Sequence, residues 1–470
     1  MDLRHWLLLG VALSVHAQAG QTSGGPFDAK AREIYAKVIS MPTQLGDHRV
    51  PAMAEYLAQE FRAGGFPASD ITILPFKGSG DETASLIVRY RGTGTGGKPI
   101  LLLGHMDVVI AKREEWARDP FELIEKDGYF YGRGTYDNKQ GVAAITATLL
   151  RLRAEGFKPS RDLIVFFSGD EETTDETAPD VVRNHRDLID AEFALNSDAG
   201  GGWLDEKTGK PLYYYIQSAE KTYVNFSATV HNPGGHSSLP RPDNAIFDLA
   251  AALLKLQAHR FPVMWNETTI ASLKASGDLE PGELGEVVRR FASDPKEGEA
   301  AEILTRSPDY VGQIRTTCVP TLLAGGHAPN ALPQTASVNV NCRVFPGVTI
   351  EDVQQELQGV MGPAVELKVV GHPIWSDASP LREDVTGAVA RAVHRIHPGV
   401  PVGPAQSAGA SNGKTFRSNG IPTYGVEGNF TKSSDDFTHG LNERLSVRSF
   451  YDSLTFWYWL LKDLAGNARR

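Results

Sequence analysis

The sequence predicts an α/β fold, a mostly parallel sheet flanked by helices and interrupted by a smaller α+β segment. Three observations lead there. Between about residues 28 and 218, apolar runs suited to strands buried on both faces alternate with amphipathic helix patterns. Near residue 219 the strands become half-exposed, with apolar and polar residues alternating. From about residue 375 the first style returns, so the middle reads as an insertion.

Taken in order, Arg4 and His5 precede the apolar run Trp6 to Val15, followed by Ala17-Gln18-Ala19. A basic start, a short apolar stretch and a small-residue cleavage site describe an export signal, residues 1–19, cut after Ala19. The expected location is therefore periplasmic or secreted. AREIYAKVI and MAEYLAQEFRAGG follow the helical period, the second closed by Gly64 and Gly65. ASLIVRY and PILLLGHMD read as strands joined by glycine-rich RGTGTGGK. GVAAITATLLRLRAEG is a periodic helix ending at Gly156, and DLIVFFSG is a buried strand.

In the middle segment KTYVNFSATVH alternates like a half-exposed strand and AIFDLAAALLKLQAHR is helical. Residues 265–310 are polar and read as helices and loops. IRTTCVPTLL, ASVNVNCRVF, the helix IEDVQQELQGVM and the strand VELKVVG complete a β-α-β-β-α-β order, a small open sheet with helices on one face. Cys318 and Cys342 lie on two of these runs. If the runs pair as antiparallel neighbours the sulfurs can face each other, as a disulfide or as two buried thiols. The last helix is SFYDSLTFWYWLLKDLAG.

A length of 470 residues suits two domains, here 20–218 with 375–470, and 219–374 as the insert. The net charge of −10 argues against non-specific nucleic-acid binding. No stretch after the N-terminus is long and apolar enough to span a bilayer.

Five stretches carry the chemistry: His105 and Asp107 in ILLLGHMD, Asp137 in GRGTYDNKQG, Glu171 and Glu172 in LIVFFSGDEE, Asp198 in FALNSDAG, and His439 in DDFTHGLNE. Imidazoles and carboxylates are the ligands of hydrolytic zinc, and two histidines with several carboxylates can hold two ions. A strand ending in such a residue delivers it to the sheet edge where α/β enzymes keep their sites. Singly each stretch has a plain alternative, such as a helix N-cap for Asp137 or a solvated acidic loop for Glu171 and Glu172. In this order they read as a two-metal hydrolase site. Gly92 to Gly97 matches G-x-G-x-x-G in form, but a strand follows it instead of a helix. Gly409 to Gly413 matches G-x-S-x-G, but no apolar strand precedes it, which disfavours a serine hydrolase.

On GHMDVV, GRGTYDNKQG, SGDEE, NSDAG, GGHSSLPRPDNAI, APNALPQTASVNVNCRVFPG and THGLNE the chain resembles the M20 family of metallopeptidases, the carboxypeptidase G2 and aminoacylase-like di-zinc hydrolases. WARDPFE and the long insertion lean toward its carboxypeptidase S-like branch. The resemblance implies two divalent ions, zinc above all, with His105 and Asp198 on one, Glu172 and His439 on the other, and Asp137 bridging. It implies that Glu171 is the general base, that Asp107 orients His105, and that the Asp137–Asn138 peptide is cis. The insert becomes a lid and dimerisation domain. Its His236 would stabilise the oxyanion, often from a partner subunit, and its Asn330 and Arg343 would contact the substrate. Two departures stand out, Asn412 where relatives often carry aspartate and Asp rather than Glu at 198. The expected activity is hydrolysis of an amide bond in small peptides with a free carboxylate. The alternative is an N-acyl-amino-acid amidohydrolase with the same metal chemistry.

Overall fold

The computed structural model describes residues 25–466, so the expected export signal at 1–19 lies outside the described residues. Helices α1 (Pro26–Ile39) and α2 (Val50–Ala63) precede the strands β1 (Ile71–Lys77), β2 (Glu82–Tyr90) and β3 (Ile100–His105). Helix α3 (Lys139–Ala154) leads to β4 (Leu163–Ser168), β5 (Phe193–Asn196), β6 (Gly201–Leu204) and β7 (Pro211–Glu220). These strands form one sheet with three that come after the insert: β12 (Val402–Ser407), β13 (Thr423–Gly425) and β14 (Phe430–Thr431). The order is β1-β2-β4-β3-β5-β13-β7-β6-β14, with β12 beside β7.

The centre of this sheet is parallel: β3 pairs with β4 and β5, and β5 with β13. Antiparallel pairs flank it, β1–β2–β4 on one side and β13–β7–β6 on the other. Every residue of β3 and β4 is buried, as their unbroken apolar runs require under helices on both faces. Helix α11 (Val447–Ala465) packs on α3 and on α10 (Glu383–Ile396), placing Phe456, Trp457 and Leu460 at 0% exposure in the same core.

Between β7 and α10 the chain builds a second sheet of β8 (Thr222–His231), β9 (Thr317–Gly325), β10 (Thr335–Val344) and β11 (Val365–Val370), in the order β9-β10-β8-β11. All its pairs are antiparallel. Helices α4 (Ala245–Ala258) and α9 (Ile350–Met361) cover the face carrying Val224, Phe226, Val338, Val340 and Cys342. Cys318 lies directly opposite Cys342, and the two form a disulfide.

The polar stretch of the insert folds as α5 (Glu267–Leu279), α6 (Gly282–Ser293), α7 (Gly298–Arg306) and α8 (Pro308–Ile314). They share an apolar cluster of their own around Leu273, Val288, Phe291 and Leu304. This unit is not part of the small-sheet core: α5 packs on β12 and β7 of the large sheet. Residues Gly312 and Gln313 meet Gln406 at the end of β12 through two side-chain amides.

Candidate metal centre

The carboxyl ends of the central strands deliver three of the five stretches. His105 closes β3 and sits in register with Ser168 at the end of β4. Glu171 and Glu172 follow three and four residues later, and Asp198 comes two residues beyond β5. Asp137 stands on the turn before α3. That turn needs Gly134, whose φ of +86° disfavours any side chain. The Asp137–Asn138 peptide is cis, as the resemblance implied. His439 comes from the loop ahead of α11.

These side chains converge. His105 Nε2 lies 2.9 Å from Asp137 Oδ1 and 3.2 Å from Asp198 Oδ1. His439 Nε2 lies 3.0 Å from Asp137 Oδ2 and 2.9 Å from Glu172 Oε1. Asp137 thus turns one oxygen to each histidine, and two groups that could each hold an ion share it. Zinc bonds of about 2.0–2.1 Å set neighbouring tetrahedral ligands about 3.3 Å apart, which these spacings approach. Two imidazoles and three carboxylates are a donor set suited to two divalent cations.

The electrostatics point the same way. Burial, and then the charge of Asp198, push Glu171 well above the usual carboxylate range. Burial pushes Asp198 up to about 7 and raises Glu172. Hydrogen bonds to Asp137 and Glu172 push His439 up to about 10. Burial opposes a charge on His105, but Asp198, Asp107 and Asp137 outweigh it and raise its pKa. The pocket is starved of positive charge, a deficit that two cations would remove.

Asp107 does more than face His105. The nearer contact to His105 Nδ1 is the Asp107 carbonyl at 3.1 Å, with the carboxylate Oδ1 at 3.4 Å. The carboxylate accepts the backbone N–H of Glu171 at 3.0 Å and of Glu172 at 2.9 Å. It therefore also clamps the strand end that carries Glu171 and Glu172.

A cleft of about 1240 Å³ runs between the two sheets, lined by Glu171, Glu172, His439, Tyr223, Arg343 and Lys414 among others. Arg343 stacks over Tyr223 and donates to the Ala408 carbonyl at 2.9 Å. His236 and Asn330 are placed elsewhere. His236 is exposed on a two-residue ladder with Ala331 and Leu332, and Ser237 N–H donates to the Asn330 carbonyl. Neither residue lines the cleft of its own chain. Arg133 and Glu443 lie in the motifs GRGTYDNKQG and THGLNE beside candidate ligands, yet carry no sequence signal of their own. Nor does Lys414, which pairs with Asp175 at 2.6 Å beside Glu171.

Comparison with known proteins adds the following. The family model for peptidase family M20/M25/M40 matches residues 101–463. An N-fatty-acyl-amino acid synthase/hydrolase of Xenopus tropicalis is 28% identical over 392 residues, covering 81% of this chain and 75% of that protein. A Dictyostelium discoideum protein described as a probable carboxypeptidase S-like protein is 26% identical over 399 residues, covering 81% of this chain and 74% of its own. An M20 family metallo-carboxypeptidase from Sulfolobus solfataricus shares the fold, with a TM-score of 0.68 at 18% identity over 93% of this chain and 99% of that one.

Proposed function

Because the chain belongs to the M20/M25/M40 family of peptidases, we propose that it is an exported di-zinc hydrolase cleaving the amide bond of small substrates that end in a free carboxylate. The observation that carries this reading is the shared Asp137, one oxygen toward His105 and the other toward His439. His105 and Asp198 would hold one ion and Glu172 and His439 the other. When bound, the ions supply a water of lowered pKa and a Lewis acid for the substrate carbonyl.

The rest falls to the chain's own side chains. Glu171 takes the proton of the attacking water and passes it to the leaving amine. Asp107 fixes His105 and the Glu171–Glu172 backbone. Arg343, in the cleft wall, meets the substrate carboxylate. His236 and Asn330 act from the segment 219–374 as a lid, His236 on the developing oxyanion. Since His236 does not line its own cleft, the reading includes a homodimer in which the partner supplies it.

The lid has the surface for such a dimer. Leu322 and Leu323 on the edge strand β9 are 72% and 70% exposed, and Phe247 and Leu254 of α4 are 67% and 66% exposed. An unpaired strand edge with an apolar flank is a template for a second copy. Leu322→Asp is expected to give a monomer in sedimentation, with both metals kept and turnover lost. A fully active monomer would sink the shared-site arrangement.

Two substrate classes fit the carboxylate subsite, small peptides and N-acyl amino acids. Phe76, Pro179, Val370, Pro373 and Ile374 give the cleft apolar walls, and the similarity to N-fatty-acyl-amino acid synthase/hydrolases favours the acyl class. A pool of free dipeptides, blocked peptides and N-acyl amino acids, digested by the zinc-loaded enzyme and read by mass spectrometry, decides between them. Cleavage of free dipeptides alone rejects the acyl reading; cleavage of no member rejects the function. Arg343→Ala is expected to raise KM for acids about 10- to 100-fold, the worth of one charged hydrogen bond. Equal KM changes for an acid and its primary amide would exclude this role.

A further inference from the structure

The ligand cage is assembled from two parts of the chain separated by the whole insert, and one buried ion pair joins them. Glu443 and Arg133 are 1% and 3% exposed at their side chains and lie 2.7 Å apart. Glu443 Oε1 accepts the backbone N–H of Tyr136 at 2.7 Å and of Asp137 at 3.1 Å. Its Oε2 accepts the Gly134 N–H at 3.1 Å and Arg133 Nη1. Every partner is a donor, so both carboxylate oxygens act purely as acceptors.

Arg133 extends the clamp to the other side. Its Nη2 donates to the carbonyls of His439 at 3.3 Å and Gly440 at 3.2 Å, and its guanidinium stacks on Trp116 at 5.0 Å. The backbone of Glu443 closes the loop, its carbonyl accepting Gly132 N–H at 3.1 Å. One pair thus fixes the turn that presents Asp137 and the turn that presents His439, more than 300 residues apart in sequence.

We propose that Glu443, through Arg133, is the positioning residue that sets Asp137 against His439 and so makes the second metal site. The inference rests on the di-metal reading and adds a residue that never touches the ions. Asp198 and His105 are fixed by strands of the sheet and do not depend on the pair. The site that Glu172 and His439 would form depends on it twice, through Asp137 and through the His439 turn, and the first site only through Asp137. Glu443→Gln puts an amide N–H₂ against donors whichever way it turns and leaves Arg133 without its counter-charge. Changes just outside a metal's own ligands typically cost about 10- to 100-fold in affinity.

The test is zinc titration of the metal-free full-length protein, with stoichiometry read by elemental analysis and folding by thermal melting. Wild type is expected to bind two ions. Glu443→Gln is expected to weaken the second about 10- to 100-fold, to weaken the first, which shares Asp137 but keeps His105 and Asp198, by less, and to lower kcat with KM unchanged. Arg133→Lys, which keeps the ion pair but cannot reach both the His439 and Gly440 carbonyls, is expected to weaken the second ion alone. It gives the same readout should Glu443→Gln not fold. Two ions bound at wild-type affinity in the folded variants would overturn the inference and leave the di-metal reading standing. Fewer than two ions on the wild type would overturn both.

Discussion

Glu171→Gln is expected to lower kcat by about 100- to 10,000-fold, the range general-base catalysis contributes, while both metal ions remain bound. The side chain belongs to neither ligand group yet lines the cleft beside them. Its backbone N–H is fixed by Asp107, a contact that glutamine keeps. The substitution preserves shape and removes only the ability to take a proton. In the metal-free chain, burial and the charge of Asp198 hold this carboxyl well above its ordinary range. Turnover and metal content measured on the same preparation check the role. Turnover above a tenth of wild type would exclude it, and loss of metal would recast Glu171 as a ligand.

Chelation is expected to destabilise the protein, and more so as pH rises. A group that holds its proton more tightly when folded supports the fold below its unfolded pKa, and that support is lost as pH climbs through the folded value. Asp198 moves from 3.8 to about 7 through burial, so its support disappears across that interval. His439 moves from 6.5 to about 10 through its bonds to Asp137 and Glu172, so a second loss follows. Asp137 shifts downward, and its contribution is lost only as pH falls below 3.8. Each titration tilts stability by at most about 1.4 kcal/mol per pH unit. A cation at 1,000 times its Kd restores about 4 kcal/mol. Melting of metal-free and metal-loaded protein from pH 5 to 9 measures the difference. A gap that fails to widen with pH would contradict this account of the charge deficit.

The candidate ligand set was legible because each member sits where local chemistry exposes it, at the end of an apolar strand or beside a glycine turn. His105 after LLLG and Glu171 after LIVFFSGD needed no tertiary knowledge. Roles made by distant backbone contacts left no such trace. Nothing in THGLNE announces that the Glu443 carboxylate receives three amides from GRGTYD, or that the Asp107 carboxylate is held by the Glu171 and Glu172 backbone. The helix α5 was similarly opaque, since amphipathicity marks which face is buried but not what covers it, and the cover proved to be β12 and β7. For Cys318 and Cys342, alternation placed both on strands. Whether they met was settled by register, which depends on the chain between β9 and β10.

The interleaving of the large sheet has a kinetic side. β13, which completes its parallel centre, and α11, which seals α3, both follow the insert. During synthesis β5 therefore leaves the ribosome more than 200 residues ahead of its partner β13. Contacts of such sequence separation form late, and apolar strands left waiting are open to mispairing. The small sheet closes over a shorter span and can form first. The growing chain thus gains a folded insert while its principal core remains open until α11 emerges.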